Sequence, residues 1–243
     1  MGLFDLFKPK KQQLQNTTSA LEAAKDDKID DNAITRLVQG LLNVGIDGKG
    51  PLDSAAEVAA QALKKTDGKA DEAIDRIVRT GVVGGGVGGL VTGLGGFVTM
   101  PVAIPVNVFE FYVQATRMVA AIAKVRGYDL TQPNIRTAVL LTLVGAKSDQ
   151  VLSEAGIPVA VGGGKLASMA LKRVPPAGMM VVNKAIGFRL LRTFGEKIFS
   201  RFGRAVPVLG GVFGGGLDGF MMKRIADQAK REFPMSSPAG AKS

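Results

Sequence analysis

Two glycine ladders constrain this chain more than any other feature of its sequence. From Gly81 to Phe109, 29 residues run without a charge, and nine of them are glycine. Gly81, Gly85, Gly89 and Gly93 recur every fourth residue, which places them along one stripe of an α-helix. Gly211, Gly215 and Gly219 repeat the spacing near the C-terminus. An interior glycine costs a helix roughly 1 kcal/mol relative to alanine, so helices built this way need an outside reason to form. Two reasons are physically available: a second helix packed very close, or a lipid environment in which small-xxx-small faces let helices touch.

The rest of the chain reads as helix punctuated by Gly and Pro, with no strand alternation, so the expected fold class is all-α: a multi-helix bundle with glycine-rich, closely packed central helices. One helix is expected from about Asn32 to Val44, stopped by Gly45. A second starts in the turn holding Pro51 and ends at Asp67-Gly68, and a third covers about Ala70–Arg79. Beyond Pro101 and Pro105, helices are expected over about Asn107–Arg126, closed by Gly127, and from near Pro133 to Gly145. After the Pro175-Pro176 break come Met179–Phe202 and then Met221–Glu232, the latter entered from the second ladder. Residues 1–30 read as a partly disordered tail, 31–233 as one helical domain with 31–80 as a lead-in, and 234–243 as a disordered polar tail. The opening MGLFDLFKPKK lacks the basic-then-apolar order of a secretory signal. It is either a one-turn amphipathic toe for a membrane surface or a frayed terminus.

Missing residue types narrow the chemistry. The chain has no Cys, His or Trp, which removes thiolate nucleophiles, thiol zinc sites, the commonest metal ligand and the commonest general base. No nucleophile–base spacing stands out, so the chain is expected to be non-enzymatic, without cofactor or metal. Gly84, Gly86 and Gly89 match the dinucleotide-binding glycine pattern formally, but a helix rather than a strand precedes them. Gly162-Gly163-Gly164-Lys165 fails as a phosphate loop, because the first glycine is missing and Leu166 stands where Ser or Thr would hold magnesium.

Positive charge is concentrated in one part. Residues 1–80 hold 12 basic and 13 acidic side chains, whereas residues 81–243 hold 19 and 8, a surplus of 11. Such a surplus suits anionic lipid or an acidic protein face. Nucleic acid is not expected: Tyr occurs twice and no zinc-finger, helix-turn-helix or RNP pattern is present. The basic residues crowd into Lys184–Arg204. On a helical wheel Leu191, Phe194, Ile198, Phe199 and Phe202 share one side, Phe188 borders it, and Arg189, Arg192, Lys197, Arg201 and Arg204 take the rest. With Lys184, this is the pattern of a helix lying on anionic lipid, or of an amphipathic helix whose Phe face packs inward. A few charges sit in apolar surroundings: Glu110, Arg117, Lys184 and Asp218. With Gln114, the residues Glu110, Arg117 and Asp218 are candidates for a buried polar network, in which Asp218 must find a cation or change protonation state.

GLGGFVTMPVAIP (Gly93–Pro105), FYVQATRMVAAIAKVRGYDL (Phe111–Leu130), RTAVLLTLVG (Arg136–Gly145) and AVPVLGGVFGGGLDGF (Ala205–Phe220) come in an order and character that resemble the EcsC family of bacterial proteins. The resemblance covers roughly residues 70–233; 31–69 match loosely and 1–30 have no counterpart. It implies a helical, membrane-associated protein and carries over no catalytic residues. The expectation is an amphitropic protein on the cytoplasmic face of the cell membrane, with anionic lipid or an acidic face of a membrane protein as partner and oligomerisation open. The alternative is a soluble helical interaction or lipid-handling module, accessory to a transporter or another membrane complex. Integral insertion is disfavoured: 81–109 exceeds the ~20 residues of a span but holds nine Gly and two Pro.

Overall fold

The computed structural model describes residues 31–50, 52–84, 106–145, 151–153, 174–202 and 210–236, with backbone alone at 31–33, 83–84, 106–108, 176, 193–202 and 210–218. The described chain is all-α. Its helices are α1 (Asp31–Gly40) continuing into a π-helical turn (Leu41–Ile46), α2 (Ala55–Lys64), α3 (Ala70–Gly84), α4 (Val106–Val125), α5 (Pro133–Val144), α6 (Pro176–Phe202) and α7 (Gly210–Glu232). An isolated bridge between Lys49 and Leu52 is the one β interaction among the described residues.

Helix α4 is the axis of the fold, packing against the π-turn, α2, α3, α5 and α7. Its sequence suits that place: Ala115, Val119, Ala120, Ala121, Ile122 and Ala123 are completely buried, and the small alanines let neighbouring helices come close. Helix α5 is apolar almost all round, with Ile135 and every residue from Thr137 to Leu143 buried, as expected of a helix enclosed by others. The buried hydroxyls do not disturb this core. Thr116 donates to the Tyr112 carbonyl at 2.6 Å, Thr142 to the Ala138 carbonyl at 2.8 Å, and Thr137 to Asn183 Oδ1 on α6 at 3.1 Å. Each of these three hydroxyls is thereby satisfied. On the far side of the molecule, α6 packs against α1 and α5.

Local chemistry explains the helix ends, including several that differ from the sequence reading. Helix α2 begins at Ala55, not at Pro51, because Ser54 and Glu57 form a capping box: Glu57 N donates to Ser54 Oγ at 3.2 Å and Ser54 N to Glu57 Oε2 at 2.7 Å. Gly45 does not end the first helix but lies buried inside the π-turn, flat against α4. A Cβ there would stand 2.7 Å from Thr116 Cβ and 3.2 Å from the Val113 carbonyl. The stop after α2 is the expected one, with Asp67 at φ 50° and Gly68 at φ 79°, and Gly127 at φ 88° closes α4. Helix α6 starts at Pro176, where a missing N–H costs nothing, and α7 runs through the second ladder as one helix. Past 233 the chain does not leave the fold at once: Ser236 N donates to the Arg126 carbonyl at 3.0 Å.

The ladders contribute little that is described. Gly85, Gly89 and Gly93 lie outside the described residues, and Gly211 and Gly215 are described only as helical backbone. At Gly81 a Cβ would meet the flexible end of Met118 at 3.0 Å, and at Gly219 only Val82 Cγ1 at an ordinary 3.4 Å. Among the described residues, the tightest glycine approach between two helices lies outside both ladders. Gly187 of α6 faces α1, where a Cβ would stand 2.6 Å from Ile34 Cγ2 and 2.9 Å from Val38 Cγ2.

Candidate functional site

The solvent face of α6 follows from its packing. Met179, Val182, Ile186 and Leu190 are buried, which turns Ala177, Met180, Val181, Lys184 and Arg192 outward, with Phe188, Arg189 and Leu191 half-buried. Met180 and Val181 are 71% and 52% exposed. Lys184 therefore stands on an apolar-studded surface and is not enclosed by the apolar residues around it in sequence. The described part of the face intermixes cations with apolar groups rather than setting Phe and Arg on opposite sides. The side chains of Phe194, Lys197, Phe199, Arg201 and Phe202, and the whole of Arg204, lie outside the described residues. On α7, Phe220 is 58% exposed and carries the Arg224 guanidinium 5.9 Å above its ring, a cation–π arrangement.

Glu110, Gln114 and Arg117 lie on one stripe of α4, spaced by four and three residues, and all three are half-buried. Among the described residues, these three side chains are not hydrogen-bonded to one another. Glu110 and Arg117 are two turns apart, about 10 Å along the axis, and Glu110 Oε1 is buried without a hydrogen-bond partner. Burial raises the Glu110 carboxyl above the usual carboxylate value. Arg117 keeps Nε and Nη2 buried and unpartnered. Burial pulls its pKa below the usual guanidinium value, and the negative charge of Asp53 offsets part of that shift. The side chain of Asp218 lies outside the described residues.

Arg117 also borders a cavity of about 360 Å³ between α2, α3 and α4. Gln61 and Lys65 reach it from the end of α2, and Arg76 and Thr80, one turn apart, from α3. Leu52, Val58, Ala62 and Ile77 form its apolar wall, and Asp53 is its one acid, accepting a hydrogen bond from Gln61 Nε2 at 3.1 Å. Three cations thus share the cavity with one carboxylate. Arginine is not a proton donor or acceptor at neutral pH, so the arrangement suits binding anions. Among the described residues no group of His, Cys, Asp and Glu could hold a metal ion, and no helix is long and apolar enough to cross a membrane.

The sequence reading did not include Asp53, Gln61, Lys65, Arg76 or Thr80. On two separate helical wheels they are ordinary surface polar residues. Only the reversal of direction at Asp67-Gly68 turns the two polar faces toward each other and toward Arg117.

No curated protein and no solved structure matches the chain. A family model does match, over residues 5–235, which extends the likeness through the N-terminal region where the sequence reading found little. On that near-complete match, the chain belongs to the EcsC protein family.

Proposed function

We propose that the chain is a non-enzymatic amphitropic helical protein, recruited to the anionic, cytoplasmic surface of a membrane by the outward face of α6. The supporting observation is the exposure of Met180 (71%) and Val181 (52%) beside the exposed cations Lys184 and Arg192 on one long helix. Each Lys or Arg near an anionic surface is worth about 1 kcal/mol, and apolar side chains entering the interface add about 25 cal/mol per Å² removed from water. The sequence continues the pattern past Arg192 with Phe194, Lys197, Phe199, Arg201 and Phe202. The helix is continuous to Phe202, so these residues extend the same element. The glycine ladders serve architecture in this reading.

Flotation of the purified chain with vesicles is the test. Binding to vesicles rich in phosphatidylglycerol, weak binding to phosphatidylcholine alone, and loss of binding in Lys184→Glu/Arg192→Glu are expected. Equal binding to both vesicle types would overturn recruitment by charge, and no binding to either by a monodisperse protein would overturn the proposal in favour of a soluble accessory module.

A further inference from the structure

The cavity bordered by Arg117 has features that the membrane-facing surface of α6 does not explain. Its three cations are offset only in part by Asp53, and the acids on neighbouring α3 are engaged elsewhere. On α3, Asp75 pairs with Lys230 at 2.8 Å, Glu72 with Lys69 at 2.9 Å, and Asp71 stands 4.0 Å from Arg126. No salt bridge or hydrogen bond among the described residues engages the side chains of Lys65 or Arg76. Asp53, the one acid of the cavity, accepts from Gln61 and makes no ion pair with Arg117.

Arg117 is the more telling group. A buried guanidinium donor without an acceptor is destabilising, and Arg117 carries two, Nε and Nη2. Those nitrogens form one edge of the planar guanidinium, the edge that grips a phosphate or carboxylate through two parallel hydrogen bonds. That unpartnered edge belongs to a side chain that lines the cavity. The volume of about 360 Å³ falls in the range of small-molecule sites, roughly 300–1,000 Å³. The wall of Leu52, Val58 and Ile77 suits a short carbon skeleton, and Gln61 and Thr80 suit its hydroxyls.

We propose that this cavity binds a small phosphorylated organic molecule of the glycerol-phosphate type, its phosphate gripped by Arg117 and closed over by Lys65 and Arg76. The ligand chemistry is shared by a free phosphomonoester and by the head group of a membrane lipid. The inference rests on the cavity alone and stands apart from membrane recruitment by α6.

Calorimetric titration of the full-length chain with glycerol 3-phosphate at fixed ionic strength, with glycerol as the neutral control, tests it. Saturable binding of the phosphate ester alone is expected, weakened about tenfold in Arg117→Lys, which keeps the charge but loses the fork. Arg76→Gln, an exposed position that leaves the core untouched, should weaken it as well, whereas Arg79→Gln, outside the cavity on the same helix, should not. If glycerol 3-phosphate does not bind but Arg117→Lys and Arg76→Gln lower flotation with phosphatidate vesicles and not with phosphatidylglycerol vesicles, the ligand is the lipid head group. Absence of both effects, or unchanged binding in folded Arg117→Lys and Arg76→Gln, overturns the proposal.

Discussion

Arg136 grips Asp47 through two hydrogen bonds, Nη1 to Oδ1 at 2.7 Å and Nη2 to Oδ2 at 2.6 Å. The pair ties the end of the π-turn to the first turn of α5 across 89 residues of sequence. Ordinary surface ion pairs contribute little, but this one is bidentate and Arg136 is only 21% exposed. Replacing Arg136 with Ala should lower unfolding free energy by about 1–2 kcal/mol. Arg136→Lys should recover only part of that, because an ammonium cannot reproduce the fork. Urea denaturation of the three proteins measures both effects.

The glycines divide into two groups that alanine substitution separates. Alanine is favoured over glycine in a helix by roughly 1 kcal/mol, whereas overpacking costs typically 1–3 kcal/mol. At Gly187 the new Cβ would meet Ile34 Cγ2 at 2.6 Å and the Ile34 carbonyl at 3.3 Å, so overpacking wins and Gly187→Ala should lower the melting temperature. At Gly219 the nearest atom is 3.4 Å away, so propensity wins and Gly219→Ala should be neutral or stabilising. Thermal unfolding of the two variants should shift in opposite directions, or at Gly187 alone.

Arg126 closes the C-terminal end of the molecule. Its Nη1 donates to the carbonyls of Lys230 at 3.1 Å and Phe233 at 3.0 Å, satisfying acceptors that a helix end leaves open. Beside it, Phe233 is fully buried and meets Tyr128 edge-on with centroids 5.1 Å apart. Arg126→Ala should release this end, seen as faster amide hydrogen exchange over 228–236 while α4 and α5 keep their protection. Uniform loss of protection across the chain would contradict that assignment.

Glu110 should leave a signature in the pH dependence of stability. Burial raises its folded pKa above the unfolded value, so the folded state holds this proton more tightly. Stability from this group is fully present below the unfolded pKa and is lost as pH rises through the folded one. Glu110→Gln removes the ionising group, so the variant should exceed the wild type in stability at neutral pH, with the gap narrowing on acidification. Urea midpoints between pH 7 and pH 4 measure the trend; a gap that widens on acidification would contradict it.

Much of the helix punctuation was legible. Asp67-Gly68, Gly127 and Pro133 act where the sequence places them, because a positive φ or a missing N–H is a local property of one or two residues. Ser54 and Glu57 form a capping box of equally local origin, and it sets the start of α2 four residues after Pro51. Packing was less legible. Regular four-residue spacing draws attention to the ladder glycines, yet the tightest described glycine approaches between helical elements are at Gly45 and Gly187. Nothing in the sequence around Gly187 states that α1 crosses there, since a crossing point is a relation between two helices.

By itself, the sequence determined the all-α class, the placement of most helix ends, family membership and the surplus of positive charge in the C-terminal two-thirds. Fold class, helix ends and charge follow from composition or from contacts a few residues apart, and family membership from the match along residues 5–235. Tertiary structure alone decided which charges converge. Lys65, Arg76 and Arg117 meet at one cavity only because α2 and α3 reverse direction and both lie on α4. Asp75 serves Lys230 of α7 through the same packing, whereas Glu72 takes its sequence neighbour Lys69. The glycine ladder marked a part of the chain as unusual. Residues of ordinary appearance, brought face to face by helix packing, form the basic cavity.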